Sequence, residues 1–374
     1  TIPGEGVLSQ AKNFAIQHQS KLLITVDCGI TAGEEIQDLT NHGIDVIVTD
    51  HHEPTSGIPH CIATLNPKLI NSTYPNRNIT GVGVAFKLAH AITNALTDKE
   101  SHYPKIDLKR YLDLVALGTI ADMGALLGEN RILVRYGLKQ LKKTKRIGLI
   151  KLLEICEVSS HSISTMDIAS KVAPRLNSLG RIADPIKGVE LLLIRDPLSA
   201  ENLAKELDLN NIERQKIERK DSEDIENYIK AHPEILDNKA IVLHSTAWHP
   251  GIIPIITARI AKQYNRPTLI IAIDNGIGKG SLRTISEFPV LKPLRELERY
   301  LLSFGGHDFA AGMSIEEGNI EAFKQEFLTI VNNTLQEQDL VPKLHLDAKV
   351  NFADITFDFL ESLNLLEPFG TENA

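Results

Sequence analysis

Two continuous apolar runs in the first fifty residues each end on an aspartate, and this pattern constrains the fold more than any other feature. Residues 22–26 lead into Asp27, and residues 46–49 lead into Asp50. Residues 32–41, between the two runs, have helical character. Strands that alternate with helices indicate βαβ units with a parallel sheet. We therefore expect both carboxylates at the carboxyl edge of one sheet, which is the edge where open α/β sheets bind ligands.

The length of the chain predicts more than one domain, because 374 residues exceed the usual size of a single core. Residues 197–229 are rich in Glu, Lys, Asn and Arg and have few apolar anchors. A helix that is polar on most faces usually bridges domains in solvent. Apolar runs at 240–243 and 268–273, which flank a helical segment near 252–264, predict a second and smaller α/β unit.

The composition excludes several classes of protein. Hydrophobic residues at 43% and charged residues at 24% are typical of soluble globular proteins. No apolar run reaches the roughly 18 residues needed to cross a bilayer, so we expect no membrane association. Three cysteines are too few and too scattered for a disulfide framework or a zinc site, which fits a reducing cytoplasm. A formal net charge of -8 is the wrong sign for a simple electrostatic DNA binder, so nucleic-acid recognition would need local features.

Two further local features have ordinary structural explanations as well as functional ones. Residues 131–151 hold eight basic residues and no acidic residue. Such a patch could follow a DNA strand by counterion release, or it could be a solvated helix face, and the sequence leaves both open. Gly81-Val82-Gly83 opens a predicted helix, a position that is more typical of helix packing than of a phosphate loop.

Asp50-His51-His52 places one carboxylate and two imidazoles at the end of a predicted strand. Histidine with aspartate suits first-row divalent metals, and the oxygen-rich mixture favours Mn²⁺ or Mg²⁺ over the thiolate sites of zinc. A loop with these residues is otherwise a solvated turn. Asp27 and Asp122 also follow apolar runs, and adjacent strands would bring them to the same place, which favours a metal site.

Several segments together resemble the DHH phosphoesterase superfamily. Its second, third and fourth motifs are similar, in this order, to residues 25–30 (TVDCGI), 48–53 (VTDHHE) and 117–122 (LGTIAD). The basic loop and the GGH loop of the DHH-associated domain are similar to residues 278–283 (GKGSLR) and 304–312 (FGGHDFAAG). Segments particular to the single-strand-specific exonucleases of this superfamily are similar to residues 173–181 (APRLNSLGR) and 248–253 (WHPGII). The resemblance covers nearly the whole chain.

This resemblance implies an α/β fold with four parts. They are a parallel-sheet DHH domain over residues 1–196, a long connecting helix over 197–235, a smaller α/β DHH-associated domain over 236–339, and an incomplete start of an OB-type domain over 340–374.

The resemblance also implies roles for individual residues at the metal centre. Asp27 would bridge two metal ions, and His51 and Asp122 would complete the ligation. Asp50 would act as a ligand or as the hydrogen-bond partner of one. His52 would face the scissile phosphate rather than a metal.

A second group of residues is implied to bind the substrate. Glycines in the two loops would let backbone N–H groups approach phosphate, while basic side chains supply charged donors. Leu282, within the basic loop, could crowd a phosphate. Asn177 and Arg181 are explained about as well by packing as by contact with nucleic acid. The implied substrate-binding residues are His52, Asn177, Arg181, Lys279, Ser281, Arg283, Gly305, Gly306 and His307.

For function, the resemblance implies a 5′-to-3′ exonuclease that hydrolyses phosphodiester bonds of single-stranded DNA in repair and recombination, with Mn²⁺ or Mg²⁺. It implies a cytoplasmic monomer, with a single-strand-binding protein and a helicase as further partners. One alternative is a phosphodiesterase of the same superfamily that acts on nanoRNA or cyclic dinucleotides. Another is a catalytically inactive scaffold that binds DNA ends.

The chain departs from the superfamily at the first motif, an Asp-x-Asp pair on the opening strand. Residues 1–26 contain no aspartate. We therefore expect a fragment, cut at both ends, that binds metal poorly. The coding sequence upstream of Thr1 would separate truncation from real loss of the motif. The sequence leaves open the physiological metal, the preference for DNA or short RNA, and the processivity.

Overall fold

In the computed structural model, which describes residues 8–54, 57–99, 106–344 and 346–373, the first two apolar runs form parallel strands. The first sheet has the order β1-β2-β3 and is parallel throughout, with Leu22 of β1 opposite Asp45 of β2. Its strands are β1 (Leu22–Val26), β2 (Asp45–Thr49) and β3 (Ala63–Leu65). The predicted βαβ arrangement at the start of the chain is confirmed.

Helices account for most of the remaining residues up to position 231. They are α1 (Ser9–Gln17), α2 (Gly33–Asn41), α3 (Gly81–Lys99), α4 (Leu112–Ala121), α5 (Gly128–Leu141), α6 (Ile147–Ile155), α7 (Thr165–Asp167), α8 (Ala173–Ile182), α9 (Ile186–Leu193) and α10 (Pro197–Ala231).

The chain divides into two units. The first takes its described residues from Thr1–Leu176, Ile186–Glu206 and Val350–Ala374, and the second from Asn177–Pro185 and Leu207–Lys349. Helices α8 and α10 therefore contribute residues to both units.

The continuous apolar run at residues 22–26 suggests a fully buried strand, but β1 is not one. Leu22, Ile24 and Val26 are 48%, 44% and 59% exposed. Leu23 faces the other way and packs in the cluster that α1 and α2 form over β2. Within the described residues β1 is an edge strand with only one face covered, so a continuous apolar run did not mean burial on both sides.

The second unit contains one five-stranded mixed sheet with the order β4-β5-β6-β8-β7. Strands β4 and β5 are parallel, and the other pairs are antiparallel. The strands are β4 (Ile241–Ser245), β5 (Thr268–Asp274), β6 (Ile277–Arg283), β7 (Leu301–His307) and β8 (Ala310–Glu316). The later helices of the chain are α11 (Ile253–Tyr264), α12 (Leu291–Glu296), α13 (Ile320–Thr334) and α14 (Phe357–Asn364). The predicted second α/β unit is confirmed.

The two predicted glycine-containing loops of this unit are strands. Residues 278–283 lie in β6, and residues 304–312 lie in β7, β8 and the turn between them. A Cβ on Gly278 would lie 2.7 Å from Ile271, and a Cβ on Gly280 would lie 2.8 Å from Met313. The interpretation that these two glycines admit phosphate is therefore wrong, because both face apolar side chains. Leu282 is fully buried in the same cluster and cannot crowd a phosphate.

Helix α10 is more deeply packed than the predicted solvent bridge. Its buried positions recur every three or four residues, so they form one face of the helix. They are Ala200, Ala204, Leu207, Asn211, Arg214, Asp221, Ser222, Ile225 and Ile229. Several of these residues are polar, which hid the buried face in the sequence. Arg214, for example, donates to Asn211 and pairs with Glu218.

Helices α4 and α5 form an antiparallel pair in the first unit. Gly137 of α5 lies so close to α4 that a Cβ there would be 2.3 Å from the carbonyl oxygen of Leu112 and 2.4 Å from Cβ of Ala116. The absence of a side chain at Gly137 is what permits this approach.

Among the described residues, no helix is both long enough and apolar enough to span a bilayer.

Gly137→Ala should lower the free energy of unfolding by about 1 to 3 kcal/mol, because the new methyl group forces α5 away from α4. Gly180→Ala is the matched control, since nothing lies within 4 Å of a Cβ built at Gly180 within α8. Denaturant unfolding of both variants measures the difference. Equal stability of the two would contradict the close packing of α4 and α5.

Candidate metal centre

Asp27 follows β1 and has a left-handed backbone, with φ of 61°. A non-glycine residue in this region is strained by about 1 to 3 kcal/mol and persists only where the surroundings enforce it. Its backbone N–H donates to the carbonyl of Thr49 at 2.9 Å. A Cβ on Gly81, the first residue of α3, would lie 2.0 Å from Oδ1 of Asp27. The carboxylate therefore occupies space that only a glycine leaves open.

Asp50 follows β2 and is almost fully buried, at 1% exposure. Oδ2 accepts from the backbone N–H of Ile30 at 2.9 Å. Oδ1 accepts from the backbone N–H groups of His51 and His52, at 2.7 and 3.1 Å, and from Nδ1 of His52 at 2.7 Å. Burial alone would raise the pKa of Asp50, but these hydrogen bonds outweigh it and lower the pKa to about 2. Both oxygens are engaged within the protein, so Asp50 orients the two histidines instead of presenting itself to a metal.

His51 lies between two carboxylates. Its Nε2 is 3.1 Å from Oδ1 of Asp27 and 3.6 Å from Oδ2 of Asp122. The Nε2 atom of His51 is buried, yet it makes no hydrogen bond of acceptable geometry in the part of the chain that the structure describes. A buried polar atom without a partner is rare, and a role as a metal ligand would account for it.

Asp122 caps the carboxyl end of α4, so its carboxylate approaches the sheet edge from a helix and not from a strand. Burial raises its pKa above the ordinary value, with His51 lowering it and Asp27 raising it to smaller degrees. A cation at this point would offset both the burial and the repulsion between the two carboxylates. The donor set of two carboxylates and a neutral imidazole nitrogen fits a hard divalent ion such as Mn²⁺ or Mg²⁺.

His52 also lies at the site. Asp27, His51 and His52 each offer an atom within 4.8 Å of the other two, while Asp122 lies outside that group and is close to His51. The hydrogen bond from Nδ1 to Asp50 raises the pKa of His52 above its ordinary value, despite the opposing effect of burial. The structure thus brings together all five residues that the sequence analysis assigns to the metal centre.

Three residues that support the centre were not found from the sequence. Asn130, fully buried at the start of α5, donates from Nδ2 to the carbonyls of Asn78 and Ala125, at 2.7 and 3.1 Å. It therefore ties the segment before α3 to the loop after Asp122. Thr80 and Thr119, both buried, share a hydrogen bond of 3.0 Å between their hydroxyls, which joins the segment before α3 to the last turns of α4. An isolated Asn or Thr carries no signal for such a contact.

In the second unit, one face of the sheet collects most of the predicted substrate-binding residues. Lys279, Ser281 and Arg283 alternate along β6, so their side chains share a face. Between β6 and β8, Ser281 is opposite Gly312 and Arg283 is opposite Ala310. Between β8 and β7, Gly312 is opposite Gly305 and Ala310 is opposite His307. Gly305 and His307 therefore lie on that face as well.

Gly306 has a separate structural role. Its φ is 142°, and a Cβ there would lie 2.3 Å from the carbonyl oxygen of Ala310. Only glycine fits this position.

Two arginines lie close together in the same unit. Burial lowers the pKa of Arg181, and the charge of Arg214 lowers it further. Burial lowers the pKa of Arg283, and the charge of Arg181 adds to that effect. Arg181 donates from Nη1 to the carbonyl of Gly251 at 2.9 Å, and Asn177 is exposed one helical turn before it. Half-buried guanidinium groups that repel each other are suited to an anion.

Trp248, which could have stacked on a base, is buried and donates from Nε1 to Asp224 at 2.7 Å. Trp248 therefore packs within the second unit.

Comparisons with known proteins agree with this arrangement. Residues 5–119 match the DHH family, N-terminal domain, and residues 237–336 match the DHHA1 domain. The single-stranded-DNA-specific exonuclease RecJ of Bacillus subtilis is 37% identical over 372 residues, which are 99% of this chain and 46% of that relative. The crystal structure of RecJ with Mn²⁺ from Thermus thermophilus matches with a TM-score of 0.85 and 33% identity, over 97% of this chain and 52% of that one.

A second crystal structure, of exonuclease RecJ bound to manganese, is 34% identical and has a TM-score of 0.71. The match covers 88% of this chain and 80% of that structure. The chain belongs to the RecJ family. It spans about half the length of the RecJ relative from B. subtilis. The superfamily and the fold class inferred from the sequence are confirmed, while the start of an OB-type domain over 340–374 stays a prediction.

Gly81→Ala should weaken Mn²⁺ binding by about tenfold or more, because the methyl group displaces a carboxylate that lies where ligands converge. Gly33→Ala is the control, since a Cβ there meets open space at the start of α2. Calorimetric titration with Mn²⁺ distinguishes the two variants. If Gly81→Ala bound Mn²⁺ with unchanged affinity, Asp27 would not be one of the metal ligands.

Asn130→Ala should lower the free energy of unfolding by about 1 to 3 kcal/mol, because two buried carbonyls lose their donor. It should also weaken Mn²⁺ binding, because the loop after Asp122 is no longer fixed. Asn94→Ala is the control, since Asn94 is exposed and bonds only to His90 among the described residues. Loss of stability with full Mn²⁺ affinity would mean that Asn130 has no part in positioning Asp122.

Proposed function

We propose that this chain is the catalytic part of a metal-dependent exonuclease that hydrolyses the phosphodiester bonds of single-stranded DNA from the 5′ end. The observation that carries the proposal is the buried His51 Nε2, which lies between Asp27 and Asp122 and makes no hydrogen bond to any described residue. Membership of the RecJ family, whose relatives are named single-stranded-DNA-specific exonucleases, supports the class of substrate.

Asp27, His51 and Asp122 would hold Mn²⁺ or Mg²⁺, the ions present in the matching RecJ crystal structures. Such an ion, when bound, lowers the pKa of a water ligand and neutralises charge on the phosphate. Residues 1–26 contain no aspartate, so Asp27 is the first aspartate of this chain that could serve as a ligand.

Asp50 and His52 would act together on the phosphate. The hydrogen bond to Asp50 fixes the proton on Nδ1 of His52 and favours the charged imidazole. A protonated His52 can donate from Nε2 to a phosphate oxygen and stabilise the negative charge that develops there. His52 is the residue of the centre best suited to this role, because its side chain is 47% exposed whereas that of His51 is 13% exposed.

The second unit would hold the nucleic acid backbone. Arg181 and Arg283 offer guanidinium groups that repel each other in the absence of an anion, and a bound phosphate would relieve that repulsion. Lys279 and Ser281 extend this face along β6. Gly305, Gly306 and His307 border it on β7, where Gly305 leaves open space above the sheet. Asn177 would contribute from α8.

An inactive scaffold that binds DNA ends is a second candidate. The observation in its favour is the lack of any aspartate before Asp27. A phosphodiesterase acting on nanoRNA or cyclic dinucleotides has less support, because the relatives quoted above are named for single-stranded DNA. We also propose a cytoplasmic monomer that works with a single-strand-binding protein and a helicase.

Protein from the intact gene should release mononucleotides from 5′-phosphorylated single strands in Mn²⁺, and EDTA should abolish the release. His51→Ala should lower the rate by about a hundredfold or more, because the ligand set is broken. His161→Ala is the control, since His161 is exposed and bonds only to neighbouring serines in the described chain. Labels at the 5′ or the 3′ end report direction, and RNA strands of equal length report sugar preference.

No release from any single strand, with DNA binding retained, would instead favour the scaffold. Preferential release from short RNA would favour the nanoRNA alternative.

A further inference from the structure

One face of α5 in the first unit is exposed from Ile132 onward and carries basic side chains from Arg135 onward. Its residues are spaced three or four apart and continue past the end of the helix, so they lie on one side. We name this face the α5 stripe, and it consists of Ile132, Arg135, Tyr136, Lys139, Lys142 and Lys143. The opposite face of α5 is buried and includes Val134, Gly137 and Leu141. The stripe is therefore a surface that the packing of α5 leaves free.

Among the described residues of the first unit, no acidic side chain forms an ion pair with the basic residues of the stripe. Other basic residues nearby are engaged, since Arg146 pairs with Asp113 and Lys151 pairs with Glu154. Arg131 donates to the carbonyl of Leu365. In contrast, the basic residues that remain exposed between positions 131 and 151 form no ion pair with any described residue. They are Arg135, Lys139, Lys142, Lys143 and Lys145. On a chain of net charge -8, five unpaired cations within eleven residues form a local positive patch.

An exposed aromatic ring lies among these cations. Tyr136 is 54% exposed, and the Nζ of Lys139 lies over its ring at 5.1 Å from the centroid. Ile132, one turn earlier, is 57% exposed. Cations that follow a backbone, together with a ring on which a base can stack, are the two features that sequence-tolerant single-strand binding requires. An acidic protein partner would account for the charge but not for the open ring beside it.

The position of the stripe relates it to the metal centre of the same unit. Helix α5 begins at Gly128, six residues after Asp122, and runs antiparallel to α4. The stripe therefore starts near the end of α4 that carries Asp122 and leads away from it. From Arg135 to Lys143 it extends roughly 12 Å, which matches about four phosphates at the stacked spacing of a strand.

We propose that the α5 stripe binds the backbone of a single-stranded nucleic acid at a distance from the metal centre, with Tyr136 stacking on a base. The proposal rests on the proposed nuclease function for the class of ligand. It adds a second contact surface, separate from the arginines of the second unit. A strand held at the stripe stays attached while its end is processed.

Binding of a fluorescein-labelled 30-nucleotide thymidine strand, followed by anisotropy in EDTA, tests the stripe without hydrolysis. The variant R135A/K139A/K142A/K143A should bind on the order of tenfold or more weakly at moderate salt. The slope of log affinity against log salt should become shallower by about 3, since four contacts to a single strand are lost.

The matched control is K205A/K216A/R219A/K220A, which removes the same charge from exposed positions of α10, where basic residues alternate with acidic ones. It should retain the affinity and the slope of the parent. Equal losses in both variants would overturn the proposal, because net charge would then account for the binding.

Tyr136 gives an independent test of the kind of ligand. Tyr136→Ala should weaken binding by about fivefold or more, whereas Tyr136→Phe should restore it, because the ring and not the hydroxyl stacks. Circular dichroism and thermal melting of each variant confirm that α5 is folded. A folded Tyr136→Ala variant with full affinity would contradict a stacked base.

Two further outcomes separate this proposal from the proposed function. Parent protein that binds the strand through the stripe but hydrolyses no substrate would contradict the nuclease and leave the stripe supported. If the parent protein hydrolyses single strands and the stripe variants bind them unchanged, the nuclease would be supported and the stripe proposal would be overturned. Binding of an acidic peptide that depends on the stripe, with DNA binding unaffected, would overturn the proposal in favour of a protein partner.

Discussion

The candidate metal centre depends on the buried carboxylate of Asp50. It accepts from Ile30, which lies in the loop after β1, and from His51 and His52, which lie in the loop after β2. One anion thus fixes the ends of both strands. A buried charge is tolerated only where hydrogen bonds replace its hydration, so the ionised state of Asp50 and the conformation of the two loops require each other. Asp27 and His51 approach each other as a result.

The residues of the centre could be predicted because they obey local rules. Parallel strands end at a common edge, so the aspartates after residues 22–26 and 46–49 had to lie near each other once both segments were assigned as strands. Asp122 followed from the superfamily motif. The supporting residues obey no local rule: Asn130 donates to carbonyls 5 and 52 positions away, and Gly81 is needed because a Cβ there would lie 2.0 Å from Oδ1 of Asp27. The tripeptide Gly81-Val82-Gly83 offered a signal, but the sequence favoured helix packing as its explanation.

The second unit shows how pairing decides structure where composition misleads. Residues 278–283 are rich in glycine and charge, which indicates a loop. They nevertheless form a central strand, because β5 and β8 both pair with them and the large side chains of Leu269, Ile271 and Met313 fill the space above the glycines. The same alternation puts Lys279, Ser281 and Arg283 on the opposite face. The glycines therefore serve the sheet, and the basic residues remain available for a ligand.

A negative net charge does not exclude an anionic ligand, because electrostatic attraction acts locally. At physiological ionic strength charges are screened over about 8 Å, so a strand responds to the side chains beside it and hardly to the sum of -8. Several acidic residues of α10 form ion pairs with neighbouring lysines and arginines. Among the described residues, no such ion pair neutralises Arg181 and Arg283 in the second unit or the α5 stripe in the first. An anionic polymer would therefore meet two positive surfaces on a protein whose total charge is negative. The negative remainder would oppose unspecific binding elsewhere, which favours a strand held along defined surfaces.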